Sequence, residues 1–145
     1  MPASLPPAGP EPTQLRNLDS LKPEAQLAAT RFIIEAARQG IALRVTETLR
    51  TPGRQAWLWS IGRTNSHPAS GSVVRLTNAP PGSSKHETGL AIDVVPMSVG
   101  DGPFKPTPIW SYPHWEMIGK IGEACGWSWG GRWQSPDRPH FELKG

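Results

Sequence analysis

The sequence predicts a single α+β domain, rich in loops, in which a small, mostly antiparallel sheet is flanked by helices. Three observations lead there. A chain of 145 residues is long enough for one hydrophobic core and leaves little room for a second. Segments of helical period and segments of strict alternation both occur, without the regular succession that a parallel sheet requires. The 15 glycines and 17 prolines, beside a hydrophobic fraction of 37% and a charged fraction of 19%, imply a globular chain with many turns.

Taken in order, Met1 to Thr13 holds five prolines and almost no large apolar residues. Residues 1–14 are therefore expected to form a disordered or extended tail, and 15–145 the domain. Pro23 suits the first turn of a helix, Ala25, Ala29, Phe32, Ile33 and Ala36 recur at helical spacing, and Gly40 can end it. This predicts a helix over 23–39. Ile41, Leu43 and Val45 then alternate with Ala42, Arg44 and Thr46, a strand running towards Arg50. Thr51 caps a short helix that begins at Pro52, carries Trp57 and Trp59, and stops at Gly62. Val73 to Leu76 reads as a strand closed by Pro80-Pro81-Gly82. Leu90 to Val95 is the clearest strand, limited by Pro96. An irregular stretch over 97–112 precedes a helix with Trp115, Ile118, Ile121 and Cys125 on one face and Gly126 as its stop. Trp127-Ser128-Trp129 and His140 to Leu143 complete the strands.

Composition excludes several classes. The formal charge of +3 favours polyanions without naming one, and no run of five or six basic residues appears, so nucleic acid is not an expected partner. No apolar stretch approaches the ~20 residues of a membrane span, and the N-terminus has neither a basic start nor an apolar h-region. The single Cys125 excludes an intramolecular disulfide and a thiolate cluster, so any metal must be held by histidine and carboxylate. Most of the seven tryptophans fall at core spacing, whereas Trp133, beside Gly130-Gly131, is placed near a cleft. His67 and His114 fit no ligand position.

The chemistry concentrates in Ser84-Lys85-His86-Glu87-Thr88-Gly89-Leu90-Ala91-Ile92-Asp93 and in Asp137-Arg138-Pro139-His140. Two imidazoles and a carboxylate, His86, His140 and Asp93, can supply three ligands to one zinc ion and leave the fourth position for water. Gly89 and the β-branched Ile92 argue against one helix carrying both His86 and Asp93, so a loop histidine and a strand carboxylate are expected. Asp137, three residues before His140, can sit beside the water and take its proton.

These segments resemble a known family. His86 and Asp93 fall in S-x-H-x-x-G-x-A-x-D, and Asp137 and His140 in [D/E]-x-x-H. Arg50 to Gln55 fits R-[S/T]-x-x-x-Q, Gly62-Arg63-Thr64 fits G-R-T, and Gly130 to Trp133 fits G-G-x-W. Together, over residues 18 to 143, they are similar to the zinc peptidases of the D-Ala-D-Ala carboxypeptidase and VanX-like group, nearest the phage endolysin-type L-alanyl-D-glutamate peptidases. The resemblance implies one zinc ion on His86, Asp93 and His140, Asp137 as the base and Arg50 over the metal facing the oxyanion. It also implies substrate or ligand-orienting contacts at Ser84, with Trp133 beside the substrate.

The implied substrate is bacterial peptidoglycan, cut at the L-Ala-D-Glu bond by a protein expected to be monomeric. Lacking a signal peptide, it would be made in the host cytoplasm and released to the wall during lysis. A D-Ala-D-Ala carboxypeptidase or dipeptidase, and a non-catalytic zinc-bearing binding domain, remain as alternatives.

Overall fold

The computed structural model describes residues 4–98 and 106–144. Residues 1–3 of the expected tail and 99–105 of the expected irregular stretch lie outside them, as does 145. Among the described residues are three α-helices, α1 (Pro23–Arg38), α2 (Pro52–Ser60) and α3 (Trp115–Ala124), and four strands, β1 (Leu43–Glu47), β2 (Ala91–Pro96), β3 (Ser128–Trp129) and β4 (His140–Glu142). The strands form one sheet in the order β1-β2-β4-β3, antiparallel at every pairing. The α+β fold with a small antiparallel sheet agrees with the sequence reading.

The core lies between one face of the sheet and the helices α1 and α3. Ala25, Ala29, Phe32 and Ala36 of α1 and Ile118 and Ile121 of α3 meet Ile92 and Val94 of β2 and Phe141 of β4. Phe32 and Phe141 pack edge to face with centroids 4.7 Å apart, an arrangement aromatic quadrupoles favour. Trp127 and Trp129 are buried with their indole N–H groups donating to the carbonyls of Ala28 and Arg138. The opposite face of the sheet carries the polar residues of the site.

One irregularity decides what that face displays. Leu43, Arg44 and Val45 pair with Pro96, Val95 and Val94, but a bulge follows and Glu47 pairs with Asp93. Strict alternation would turn Glu47 to the core side with Leu43 and Val45. The extra residue turns it to the other face instead, as bulges next to functional sites do. Asp93 in turn pairs with His140. Glu47, Asp93 and His140 therefore form one row across three strands.

Two expectations need correction. Val73 to Leu76 makes no strand. Val73, Val74 and Leu76 are at least half exposed and find no partner edge among the described residues. The segment expected to be a disordered or extended tail also packs onto the domain from residue 5 onward. Pro7 bridges Ser66, Ala8 is buried against Trp57, Leu58 and Ile61, and Gly9 O accepts the indole N–H of Trp57 at 2.9 Å. Composition misleads there because the ordering contacts are hydrogen bonds made by the segment's own backbone and one alanine methyl, which need no large apolar side chain.

Candidate metal centre and cleft

His86 stands on a short 3-10 helix, Lys85–Thr88, fixed at both ends. Ser84 Oγ accepts from His86 N at 3.2 Å while Glu87 returns a carboxylate to Ser84 N at 3.3 Å, a reciprocal cap. Gly89 closes the turn at φ 73, a left-handed conformation, and an added Cβ there would come within 3.1 Å of Lys22 N. The turn is clipped to the chain beyond β1 by Arg50 N donating to His86 O at 2.9 Å.

Ring nitrogens can be assigned from their partners. A carbonyl only accepts, so His86 Nδ1, 2.8 Å from Thr48 O, carries the proton and Nε2 carries the lone pair. That lone pair points at Asp93 Oδ1, 3.4 Å away. His140 Nε2 lies 2.9 Å from Glu142 Oε1 and donates to it, which turns Nδ1 towards the same Asp93 oxygen at 3.4 Å. The three ligand atoms all lie within 4.8 Å of one another. His86 Nε2 and Asp93 Oδ1 are buried without a hydrogen-bond partner. Converging acceptors with nothing between them are costly unless a cation or proton joins them. The donor set, two imidazoles and a carboxylate each held by an outer partner, suits zinc.

The electrostatics agree. Burial alone would raise Asp93, but the two imidazoles hold its carboxyl well below the usual carboxylate range. Burial works against a charged His140, yet the carboxylates of Asp93 and Glu142 facing its two nitrogens outweigh it and push the ring up to about 9 without a metal. A cation entering the site has that proton to displace.

The structure brings Arg50, Ser84, His86, Asp93, Trp133, Asp137 and His140 to one cleft of about 900 Å³. Asp137 is held at its mouth by its N–H to Gly130 O at 2.9 Å. Gly130 has to be glycine, because a Cβ would lie 2.5 Å from Asp137 O. Asp137 is solvent-exposed as a residue, but loss of water around its carboxyl within the cleft, followed by the nearby Asp93 charge, raises its pKa. Trp133, 43% exposed, sets its ring 5.0 Å from that of His140. The Ser84 oxygen accepts the capping N–H described above, which makes Ser84 first a support of His86.

Arg50 is 8% exposed, and its guanidinium is gripped by Glu47 through Nε at 3.1 Å and Nη2 at 2.7 Å and by Gln55 Oε1 at 2.9 Å. Gln55 in turn donates to Ala79 O at 2.7 Å, which gives this family-matched residue a physical task. Sequence reading missed Glu47 and Thr48, and did not place Glu142 beside His140. Glu142 carried a signal, since residues two apart on a strand share a face with His140. Thr48 acts through its carbonyl and carried none. A larger groove of about 1070 Å³ between α1 and α3, near Ile34 and Met117, has no such convergence of ligands.

Comparison with known proteins follows this geometry. Residues 77–143 match the family described as D-alanyl-D-alanine carboxypeptidase. The peptidoglycan L-alanyl-D-glutamate endopeptidase CwlK of Bacillus subtilis is 33% identical over 118 residues, 74% of this chain and 64% of that protein. The chain thus spans just under two thirds of that relative's length. The L-Ala D-Glu endopeptidase ChiX of Serratia marcescens is similar in structure, with a TM-score of 0.60, 26% identity, and coverage of 91% of this chain and 89% of that one. The vancomycin-resistance D,D-pentapeptidase VanY, solved with Zn(II), shares the fold at a TM-score of 0.60 and 17% identity, covering 86% of this chain and 73% of that one.

Proposed function

We propose that this chain, whose residues 77–143 match the family described as D-alanyl-D-alanine carboxypeptidase, is a zinc peptidase that hydrolyses the L-Ala-D-Glu bond of peptidoglycan stem peptides. The observation that carries the reading is the convergence of His86 Nε2, His140 Nδ1 and Asp93 Oδ1 on one buried point, with Asp137 at the mouth of the same cleft. The choice of bond rests on the two relatives named for that activity, CwlK and ChiX. An endolysin role, with release to the wall during lysis, rests on the motif resemblance alone.

Bound zinc would supply a Lewis acid, lowering the pKa of water and polarising the amide carbonyl. The chain's own residues do the rest. Thr48 O and the Glu142 carboxylate fix the two imidazoles so that the correct nitrogens face inward. Asp137 takes the proton of the attacking water and passes it to the leaving amine. Its raised pKa makes it a better base than an ordinary aspartate. Arg50, immobilised by Glu47 and Gln55, offers its remaining N–H groups to the carbonyl oxygen as negative charge develops there. Trp133 forms an apolar wall beside His140 against which a substrate backbone can lie.

Terminal D-Ala release is the second reading, favoured by the family description. A purely zinc-bearing binding domain has no use for an acid–base carboxylate poised at Asp137. The test is release of amino groups from purified peptidoglycan, lost with chelator and restored by zinc.

A further inference from the structure

Arg50 stands between two carboxylates and is held by only one of them. Glu47 takes its guanidinium at 3.1 and 2.7 Å, whereas Asp93 Oδ2 lies 3.9 Å from Nη2, outside hydrogen-bond reach. Glu47 is present on that face solely through the bulge that sets it opposite Asp93. Glu47 is 3% exposed, and its carboxylate is braced from the other side by Arg54 Nε at 2.5 Å. Arg54 is itself tied to Pro12 O at 3.1 Å. A buried carboxylate gripped by two arginines, one of them anchored by the N-terminal segment, is a stiff mount.

We infer that Glu47 is a positioning residue that holds Arg50 off Asp93. Asp93 thereby keeps its oxygen for the metal, and Arg50 keeps its outward N–H groups for the substrate. Without Glu47, the nearest anion for the buried guanidinium is Asp93, and a close fork between them would withdraw charge from the ligand set and turn Arg50 away from the cleft. The inference rests on the zinc site proposed above. It adds that the bulge, Glu47 and Arg54 are parts of that site rather than of the core.

The experiment is a double-mutant cycle read by zinc affinity, measured by competition with a chromophoric chelator, on wild type, Glu47→Gln, Arg50→Ala and the double variant. Glu47→Gln should weaken zinc by about tenfold, the lower end for an outer-shell partner. The same change in the Arg50→Ala background should alter affinity by less than about twofold, because the residue to be held back is gone. Stem-peptide hydrolysis by the folded, zinc-loaded variants should follow the same pattern in kcat, with KM nearly unchanged. If Glu47→Gln does not fold, Glu47→Asp keeps the charge but shortens the reach, and the same pattern is expected at smaller amplitude.

An unchanged zinc affinity, or an equal penalty with and without Arg50, overturns the inference and leaves Glu47 a plain buried ion pair. Wild-type protein that binds zinc but cleaves no stem peptide refutes the proposed function, while the affinity cycle still decides the role of Glu47. Wild-type protein that binds no zinc refutes both.

Discussion

His86 donates through Nδ1 to the carbonyl of Thr48 at 2.8 Å, and this one contact decides which ring nitrogen faces Asp93. Because the acceptor is a backbone carbonyl just beyond β1, the tautomer is set by the fold and not by a replaceable side chain. Removing the imidazole should then remove the metal without undoing the turn, whose cap is made by Ser84 and Glu87. His86→Ala, Asp93→Ala and His140→Ala should each lose more zinc affinity than the ~10–100-fold typical of an outer-shell change. Metal analysis after dialysis checks this, and full occupancy in His86→Ala would contradict the ligand assignment.

Glu142→Gln tests the outer partner of His140. The amide can still accept from Nε2 but no longer carries charge, so zinc affinity should fall by about 10–100-fold while the fold is retained. Titration with a chelator measures it, and affinity equal to wild type would leave Glu142 without a part in the site.

Zinc binding should release protons and weaken as pH falls. His140, pushed up to about 9 in the metal-free protein, is still protonated at neutral pH and must give up that proton to coordinate. Calorimetry in buffers of different ionisation enthalpy should show close to one proton released near pH 7. A proton count of zero would contradict the assignment of His140 Nδ1 as a ligand atom.

Asp137→Asn removes the proposed base and none of the proposed ligands. The hydrolysis rate should fall by about 10²–10⁴ with zinc content and melting temperature preserved. Activity near that of wild type would exclude Asp137 as the proton acceptor.

Glu47 gives the protein an acid-sensitive component of stability. Burial opposes its charge, but the hydrogen bonds from Arg50 and Arg54 outweigh that and depress its pKa. The stabilisation is therefore present above the ordinary glutamate pKa of ~4.3 and is lost as pH falls through the depressed folded value. Glu47→Gln should cost about 3–5 kcal/mol at neutral pH, since it leaves two buried cations short of a counterion. Denaturant unfolding should show the gap between variant and wild type closing in acid, and a gap constant with pH would contradict the linkage.

Much of the candidate site was legible in the sequence because its proposed ligands sit in two short segments of distinctive spacing. His86 and Asp93 are separated by a glycine turn and a strand start, which a pattern can display. The core faces of α1 and α3 were legible for the same reason, since Phe32, Ala36, Ile118 and Ile121 repeat at helical period. Glu47 was not, because the alternation of Leu43 and Val45 assigns it to the core side and a bulge has no side-chain signature. The packed N-terminal segment was not either, since its order comes from contacts such as Pro7 to Ser66 and Arg54 to Pro12, distant in sequence. Val73 to Leu76 has the composition of a strand, but among the described residues it pairs with no other strand.

Zinc-dependent cleavage between L-Ala and D-Glu is decided by mass spectrometry of purified peptidoglycan digested by the zinc-loaded protein. Peptides with a free amino group on D-glutamate and L-alanine left on muramic acid are expected, and both are lost with chelator. Free D-alanine as the main product would contradict the bond assignment, and products that persist unchanged in chelator would contradict the metal chemistry itself.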